Sequence, residues 1–306
     1  MVAVKAPWSV PVEHRLDAPL DLVATMSPLR QGVADPTFRV EGGLVWRALR
    51  TREGPATLEL RVEGDRLVSR AAGPGSSTAL AVAPSLAGLY DDPTALRPVH
   101  AVVRDAQHRN PGLRLTGGTG VFDALVWTVL AQKVVGLDAR RAYRDLVHRL
   151  GEPAPAVEGM MVPPSADALA HAPYWVFHEC NVEWRRARVI TDAARRATRL
   201  NAIGAMSPDA AAARLLSLPG VGPWTSAEVV SVSHGHPDAV AEGDYHLPHV
   251  VSWALAGEPR ADDARMLQLL APYRGQRGRV IRLLLAGGRA APRWGPPMPR
   301  RTIRSL

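Results

Sequence analysis

Cysteine is nearly absent from this 306-residue chain and occurs only as Cys180. A single thiol excludes a disulfide framework within the chain, and it excludes a site in which several cysteines hold zinc or an iron–sulfur cluster. Because a chain without disulfides suits a reducing compartment, we expect a cytoplasmic protein. The segment from Met1 to Pro11 has no apolar run of the signal-peptide type, and later apolar runs are too short to span a membrane.

Acidic residues are outnumbered, since 29 Asp and Glu stand against 37 Lys and Arg and give a net charge of +8. This excess favours a polyanionic partner such as nucleic acid. An arginine-rich proteome would give the same excess, so charge alone leaves both explanations open. Hydrophobic residues make up 46% of the chain, which is enough to bury a core. The length favours two domains, which we expect at residues 1–105 and 106–306.

The first third of the chain alternates apolar and polar side chains, which is the period of a half-buried strand. Glycine-containing turns separate the alternating segments. The predicted strands are Thr37–Glu41, Leu44–Arg50, Ala56–Val62 and Arg66–Arg70. Short turns between such strands predict an antiparallel sheet with one face toward solvent. The stretch Gly73–Ser77 is interpreted as a loop.

From about Asp92 onward the apolar residues recur at helical spacing. The segment from Asn181 to Leu200 predicts a basic helix whose Arg185, Arg186 and Arg188 face largely outward. Further helices are predicted after a Ser207 cap and over residues 224–234, 245–255, 262–270 and 277–286. The tail from Ala290 is rich in Pro and Arg, and we expect it to be loosely ordered. The fold class is therefore α+β, with an antiparallel sheet domain followed by an all-α region.

The most informative segment is Leu218-Pro-Gly-Val-Gly-Pro-Trp-Thr-Ser-Ala227. Gly220 and Gly222 predict a tight turn between a helix that ends near Leu216 and a helix that begins at about Pro223. The free N–H groups at the start of the second helix can bind a phosphate oxygen and so hold nucleic acid without sequence preference. Taken alone, Gly-x-Gly is also typical of an ordinary corner between two helices.

A second motif, Gly243-Asp-Tyr-His-Leu247, follows the hairpin by about twenty residues. Together the two motifs resemble the helix-hairpin-helix DNA glycosylases, and most of all the 3-methyladenine glycosylase II group. The segment Phe122–Gln132 is similar to a helix of this family that ends in a glutamine pair, with Lys133 in place of the second Gln. The predicted sheet is like the β-domain of the same group. The resemblance implies an α+β protein with an all-α helix-hairpin-helix glycosylase core.

By this resemblance Asp244 is the catalytic carboxylate, although an Asp at that place could equally cap the following helix. The resemblance implies a substrate pocket formed by Trp224, Tyr245, Gln132, Trp127 and Glu228. Core packing is an alternative role for the aromatic residues, above all for Trp127. The DNA-binding residues implied are Gly220, Val221, Gly222, Thr225, Lys133 and Arg185. Backbone carbonyls of Leu216, Leu218 and Val221 are implied to hold Na⁺ or K⁺. Four histidines, at 234, 236, 246 and 249, suggest zinc, but their spacing is poor for a metal site.

The implied reaction is hydrolysis of the N-glycosidic bond of a damaged base in double-stranded DNA. Its transition state resembles an oxocarbenium ion, which a fixed carboxylate stabilises, and the base must first rotate out of the duplex. Relatives that also nick the strand carry a Schiff-base Lys where this chain has Trp224, so we expect a monofunctional enzyme. We expect a monomer acting on the bacterial nucleoid, with no organic cofactor and no iron–sulfur cluster.

Three departures from the family leave the lesion open. Glu228 lies four residues after Trp224 on the same helical face, where better-known members carry an aromatic residue. Our hypothesis is that Glu228 favours cationic, alkylated purines such as 3-methyladenine. Lys133 and Arg282 also differ from the family pattern. Two alternatives remain: a non-catalytic helix-hairpin-helix protein that binds DNA, and a glycosylase for another lesion, deaminated or oxidised.

Overall fold

The computed structural model describes residues 6–288, 290–292 and 302–303, so most of the tail from Ala290 lies outside the described residues. The strands are β1 (Val12–Arg15), β2 (Phe38–Glu41), β3 (Leu44–Arg50), β4 (Pro55–Glu63), β5 (Arg66–Ala72), β6 (Glu152–Pro153) and β7 (Met161–Val162). The helices up to the hairpin are α1 (Leu22–Met26), α2 (Ser76–Leu86), α3 (Ala101–Arg109), α4 (Val121–Ala131), α5 (Gly136–Leu150), α6 (Ala166–His171), α7 (Tyr174–Glu179), α8 (Trp184–Ala194), α9 (Ala197–Ala202) and α10 (Pro208–Leu216). The later helices are α11 (Pro223–Ser233), α12 (Leu247–Ala256), α13 (Asp263–Leu270) and α14 (Arg277–Ala286).

The first five strands form one antiparallel sheet in the order β1-β5-β4-β3-β2. The four predicted strands are confirmed, and the α+β fold class is confirmed with them. On one face of the sheet Leu58 and Leu60 are fully buried and pack near Ala79 and Ala83 of α2. Burying a leucine of this kind stabilises the fold by about 2 kcal/mol. Helix α2 begins at Ser76, inside the stretch interpreted as a loop.

The second face of the sheet was expected to face solvent, and this prediction is only partly right. Ala48 on this face is fully buried against Met160 and Val162, which come from a segment about a hundred residues away in sequence. Beside them Glu59 is 3% exposed and accepts hydrogen bonds from Trp46 Nε1 at 2.9 Å and from the Arg70 guanidinium. The alternation of polar residues cannot show that a distant segment covers them.

Helix α4 is the centre of the helical region, where it packs against α5, α8 and α11. Eight of its residues are buried, as expected for a helix that is apolar on nearly every side. A separate core joins α3 to the helices α12 to α14. In the described part of the chain, every helix is too short or too polar to cross a bilayer. The division of the chain at residue 105 stays a prediction.

Helix α8 corrects one prediction. Arg185 and Arg188 are exposed as expected, but Arg186 is only 6% exposed and points into the protein. Its Nη1 donates to the carbonyl of Leu130 at 2.7 Å, near the end of α4, where carbonyls lack partners within the helix. Residue 186 lies four positions from both Val182 and Ile190, which are buried, so helical period places it inward and outweighs its charge.

Candidate active site

The hairpin forms where its two glycines predict it, between the end of α10 and the start of α11. Gly220 has φ +82°, a left-handed conformation, and a Cβ on it would lie 2.5 Å from Val189 Cγ2. Two features of this position therefore require glycine: its left-handed backbone and its close contact with α8. Gly222 has φ −102°, and a Cβ there would meet nothing within 4 Å. The second glycine thus leaves an open surface in front of α11.

Gln132 braces the hairpin from the end of α4. Its Nε2 donates to the Gly220 carbonyl at 3.0 Å and to Thr225 Oγ1 at 2.9 Å, and Thr225 is buried. The structure thus places Gln132 at the hairpin and not among the residues that line the nearby cleft. Lys133 follows it in the chain, exposed and with φ +54°. Gln132 thus links the hairpin to the neighbouring Lys133. Val189, which contacts Gly220, links the hairpin to the face of α8 that carries Arg185.

Asp244 lies in the turn that precedes α12. Its Oδ1 accepts hydrogen bonds from the backbone N–H groups of His246 at 2.8 Å and Leu247 at 2.9 Å, so it caps the N–H groups at the start of this helix from two residues before the N-cap His246. Its Oδ2 accepts a third bond from Trp224 Nε1 at 3.1 Å, across from α11. The carboxylate is part-buried, so it is held in one orientation while it stays accessible. Capping and an active-site role are compatible here, because each uses a different oxygen.

The two aromatic residues beside this carboxylate have different surroundings. Trp224 is part-buried and packs against the core formed by α3 and α12 to α14. Tyr245 is 68% exposed, and its ring meets that of His246 edge-on, with 4.9 Å between centroids. Tyr245 therefore offers a free aromatic surface next to Asp244.

A cleft of about 790 Å³, including its open mouth, lies between the sheet region and helices α4, α5 and α11. Two predicted pocket residues line it, Trp127 and Glu228, and the Trp127 ring also packs edge-on against Tyr143. The sequence interpretation missed other polar lining residues, among them Gln31, Arg47, Thr119 and Asp123. One signal was available, because Asp123 precedes Trp127 by four residues and so shares its helical face. Another was Arg47, a charged residue on the apolar face of β3.

Two carboxyl groups and one hydroxyl group of the cleft stand apart from its other polar groups. Burial, and then the nearby Asp244, raise the pKa of Glu228 to about 7. Burial raises the pKa of Asp123 to about 6, and the positive charges of Arg47 and Arg50 oppose the rise. The buried Thr119 Oγ1 has no hydrogen-bond partner among the described residues. Because buried polar groups are nearly always hydrogen-bonded, such a cluster in a cleft indicates a place for a polar ligand.

Arg282 and the histidines lie elsewhere. The Arg282 guanidinium donates to the Ala24 carbonyl and to Ser27 Oγ, which ties α14 to the end of α1. His236 Nε2 lies 3.2 Å from Asp209, and His234 Nδ1 lies 2.7 Å from Ser233 Oγ. Within the residues that the structure describes, no three His, Cys, Asp or Glu side chains are grouped to hold a metal ion.

Comparison with known proteins relates the chain to others through its fold. No protein-family model and no curated protein sequence matches it. A 3-methyladenine DNA glycosylase from Archaeoglobus fulgidus matches with a TM-score of 0.74 and 18% identity, over 90% of this chain and 97% of that chain. MBOgg1 in complex with a low-affinity DNA ligand matches with a TM-score of 0.71 and 17% identity, over 94% and 99% of the two chains. The 8-oxoguanine glycosylase/lyase of Clostridium acetobutylicum, in complex with double-stranded DNA, matches with a TM-score of 0.67 and 15% identity, over 92% and 98%. The chain therefore shares its fold with these three solved structures.

Proposed function

We propose that this protein is a monofunctional DNA glycosylase that hydrolyses the N-glycosidic bond of alkylated purines, of the 3-methyladenine type. The observation that carries the proposal is the part-buried Asp244 carboxylate, held by three donors between the hairpin helix and α12. A fold neighbour from Archaeoglobus fulgidus is named as a 3-methyladenine DNA glycosylase. Two others are named as Ogg1 and an 8-oxoguanine glycosylase/lyase, so the choice of lesion rests on the site residues.

The carboxylate suits the charge that develops during the reaction. Breaking the bond between a purine and deoxyribose leaves positive charge on the sugar. A carboxylate whose orientation is fixed beforehand stabilises that charge without reorganising, and it can also orient the attacking water. Asp244 is fixed in this way by Trp224 and by two backbone N–H groups of the α12 turn. An alkylated purine with a positive charge leaves readily, so one such carboxylate suffices for it.

DNA is proposed to bind across the hairpin surface. Gly222 leaves the first N–H groups of α11 open to a phosphate. The exposed Lys133 directly follows Gln132, which bonds the hairpin, and the exposed Arg185 lies one turn before Val189, which contacts Gly220. The carbonyls of Leu216, Leu218 and Val221 are proposed to hold Na⁺ or K⁺ there. The Leu218 carbonyl accepts one N–H bond, from Val221 at 3.1 Å, and so keeps a lone pair for a cation.

The protein is proposed to leave an intact abasic site. Strand cleavage of the lyase type needs an amine that forms a Schiff base with the sugar. The chain has only two lysines, Lys5 and Lys133, and the residue that follows the hairpin near Asp244 is Trp224. Lys133 is exposed and directly follows Gln132, which bonds the hairpin, and this position suits a phosphate contact. We propose that the protein acts as a monomer on cytoplasmic, nucleoid DNA and needs no organic cofactor.

The experiment that tests the proposal measures base release and strand integrity on duplexes that carry one 7-methylguanine, one 3-methyladenine or one 8-oxoguanine. Wild type is expected to release the alkylated bases without nicking the strand, and Asp244→Asn is expected to bind the same DNA but release at least about a hundred times more slowly. Asn can still accept the two backbone bonds at the start of α12, so the change removes the charge and the bond from Trp224 Nε1. The matched control is Asp262→Asn, because the Asp262 side chain also accepts a backbone N–H bond at the start of a helix, α13.

Three results would contradict the proposal. Binding without release of any base would make the protein a DNA-binding module. Release of 8-oxoguanine alone would make it a glycosylase for oxidised bases. Nicking of the strand, with a covalent adduct trapped by borohydride, would show lyase chemistry and point to Lys133.

A further inference from the structure

Glu228 occupies a position between the cleft and the carboxylate of Asp244. It lies one helical turn after Trp224 on α11, so its side chain follows the indole that binds Asp244. It lines the cleft together with Trp127 of α4. No hydrogen bond contributes to its pKa, so the carboxyl is without a partner in the described structure.

Ionisable groups face this cleft from every element packed around it. Helix α4 contributes Asp123, the sheet contributes Arg47, and α5 contributes Tyr143. Asp244, in the turn before α12, does not line the cleft but acts on Glu228 through its charge. The two cleft carboxyls differ in which charge they feel. The positive charges of Arg47 and Arg50 favour the ionised form of Asp123, whereas the negative charge of Asp244 opposes ionisation of Glu228. Burial first, and then the negative charge of Asp244, therefore raise the pKa of Glu228, so it keeps its proton at a higher pH than a carboxyl in water does.

We propose that Glu228 is a second catalytic residue, a general acid that protonates the base as it leaves. The inference rests on the proposed glycosylase function and deepens it. In this scheme the Asp244 carboxylate stabilises the positive charge on the sugar, and the protonated Glu228 donates a proton to the base. Burial and the charge of Asp244 keep a proton on Glu228, while Asp244 itself is held by three hydrogen-bond donors.

The proposed step balances as follows. The Glu228 O–H donates its proton to a ring nitrogen of the purine, while the bond between N9 and C1′ breaks and its electron pair goes to the base. The base departs neutral, and the sugar becomes the oxocarbenium ion that Asp244 stabilises. Water adds to C1′, its proton passes to Asp244 and then to solvent, and solvent returns one proton to Glu228. The products are the free base and an abasic site, with no change in total charge.

This step widens the substrate class to purines that carry no positive charge, and it replaces the sequence-based hypothesis that Glu228 favours cationic purines, because a protonated carboxyl does not attract a cation. An N7-alkylated purine is already cationic and gains little from protonation. A deaminated purine such as hypoxanthine is neutral, and it leaves slowly unless a ring nitrogen is protonated. A general acid contributes a factor of roughly 10² to 10⁴ to such a reaction. The raised pKa of Glu228, about 7, keeps part of the protein in the acid form at neutral pH.

The test is single-turnover release of hypoxanthine and of 7-methylguanine from otherwise identical duplexes, between pH 5.5 and 9. For wild type, hypoxanthine release should fall tenfold per pH unit above about pH 7, while 7-methylguanine release shows no such break. Glu228→Gln should slow hypoxanthine release by about 10²-fold, remove the break, and change 7-methylguanine release by less than about threefold. Because 7-methylguanine release reports on folding and DNA binding, it separates a catalytic effect from a structural one.

A variant outside the cleft serves as the control. Glu242→Gln removes an exposed carboxyl two residues before Asp244 and should change neither rate. The inference is overturned if Glu228→Gln slows both bases equally, if the pH break persists in that variant, or if wild type releases 7-methylguanine and no hypoxanthine. Failure to release either base by wild type would instead overturn the proposed function on which the inference rests.

Discussion

The indole Nε1 of Trp224 donates to Asp244 Oδ2 at 3.1 Å, and this bond joins the helix that begins at the hairpin to the turn that carries the carboxylate. The remaining oxygen of Asp244 is held only by backbone N–H groups of its own turn. Trp224 is thus the one side chain among the described residues that donates a hydrogen bond to this carboxylate. It couples the hairpin to the proposed catalytic carboxylate through a single side-chain contact.

Trp224→Phe is expected to lower the single-turnover rate of base release by roughly tenfold to a hundredfold. Phenylalanine keeps an aromatic ring against the core but lacks the N–H, and a hydrogen bond to a charged group contributes about 1.5 to 3 kcal/mol. The Kd for undamaged DNA should stay the same, because the hairpin backbone is untouched. Trp175→Phe, at an exposed position on α7, is the control and should leave the rate unchanged. An unchanged rate for Trp224→Phe would show that the two backbone donors alone orient Asp244.

Gly220→Ala is expected to destabilise the protein by about 2 kcal/mol or more. The left-handed φ of +82° costs an L-residue about 1 to 2 kcal/mol, and the new methyl group would lie 2.5 Å from Val189 Cγ2. Gly222→Ala is the matched control, since its φ is negative and its surroundings are open, and it should change stability by at most about 0.5 kcal/mol. Urea denaturation measures both.

A double variant separates strain from the steric clash at this glycine. In Gly220→Ala combined with Val189→Ala, the clash is removed while the left-handed φ remains. The double variant should therefore be more stable than the sum of the two single changes predicts, by about 0.5 kcal/mol or more. Simple additivity would mean that the hairpin shifts away from α8 and that Val189 does not confine it.

Local sequence patterns were enough to predict the tight turn of the hairpin and the Asp244 side chain that caps the start of α12. The catalytic role of Asp244 came from the family resemblance. The turn and the cap both depend on contacts within a few residues: a glycine in a left-handed turn, and an Asp that bonds N–H groups two and three positions later. The strands β2 to β5 were predictable for the same reason, because alternation and short turns act between neighbours. The bond between Trp224 and Asp244 joins residues that are twenty positions apart, so local patterns do not predict it. Only the spacing known from the family places the two residues together.

The rest of the site depends on contacts that no local pattern encodes. Gln132 was assigned to the pocket, but its partners Gly220 and Thr225 lie about ninety residues away and hold it at the hairpin. Asp123 gains its significance only when the sheet region closes the cleft over α4. Arg186 was predicted to face outward from its charge, and the carbonyl of Leu130 that it binds belongs to another helix. In each case a polar residue is placed by a partner distant in sequence.

Lys133→Ala and Arg185→Ala are each expected to weaken binding to undamaged duplex DNA and to reduce the slope of log Kd against log salt by about 1. Each exposed cation that contacts a phosphate releases about one counterion when the complex forms. Arg15→Ala is the control, because Arg15 is exposed on β1 and lies beside Asp65, away from the hairpin. Fluorescence anisotropy from 50 to 300 mM salt measures the slopes. A slope equal to that of wild type would place the substituted residue outside the DNA-binding surface.

The stability of the protein should depend on the protonation of Glu228, and the sign of this dependence is fixed by the raised pKa. In the unfolded chain the carboxyl titrates near its ordinary value of 4.5, and in the folded protein its pKa is about 7, mainly through burial. Between these values the folded state binds more protons than the unfolded state, so stability falls as pH rises from 4.5 to 7 and stays reduced above 7.

Glu228→Gln removes this titration and keeps the shape of the side chain. The difference between a pKa of 4.5 and one of about 7 corresponds to at most about 3 kcal/mol, which solvent in the open cleft reduces to roughly 2 kcal/mol. The variant should therefore be more stable than wild type by roughly 2 kcal/mol at pH 8 and equally stable at pH 4.5, as measured by urea denaturation. Glu242→Gln, at an exposed position, should show no such pH dependence. A stability gain that is the same at both pH values would mean that Glu228 is destabilising for a steric reason and that its carboxyl ionises normally in the cleft.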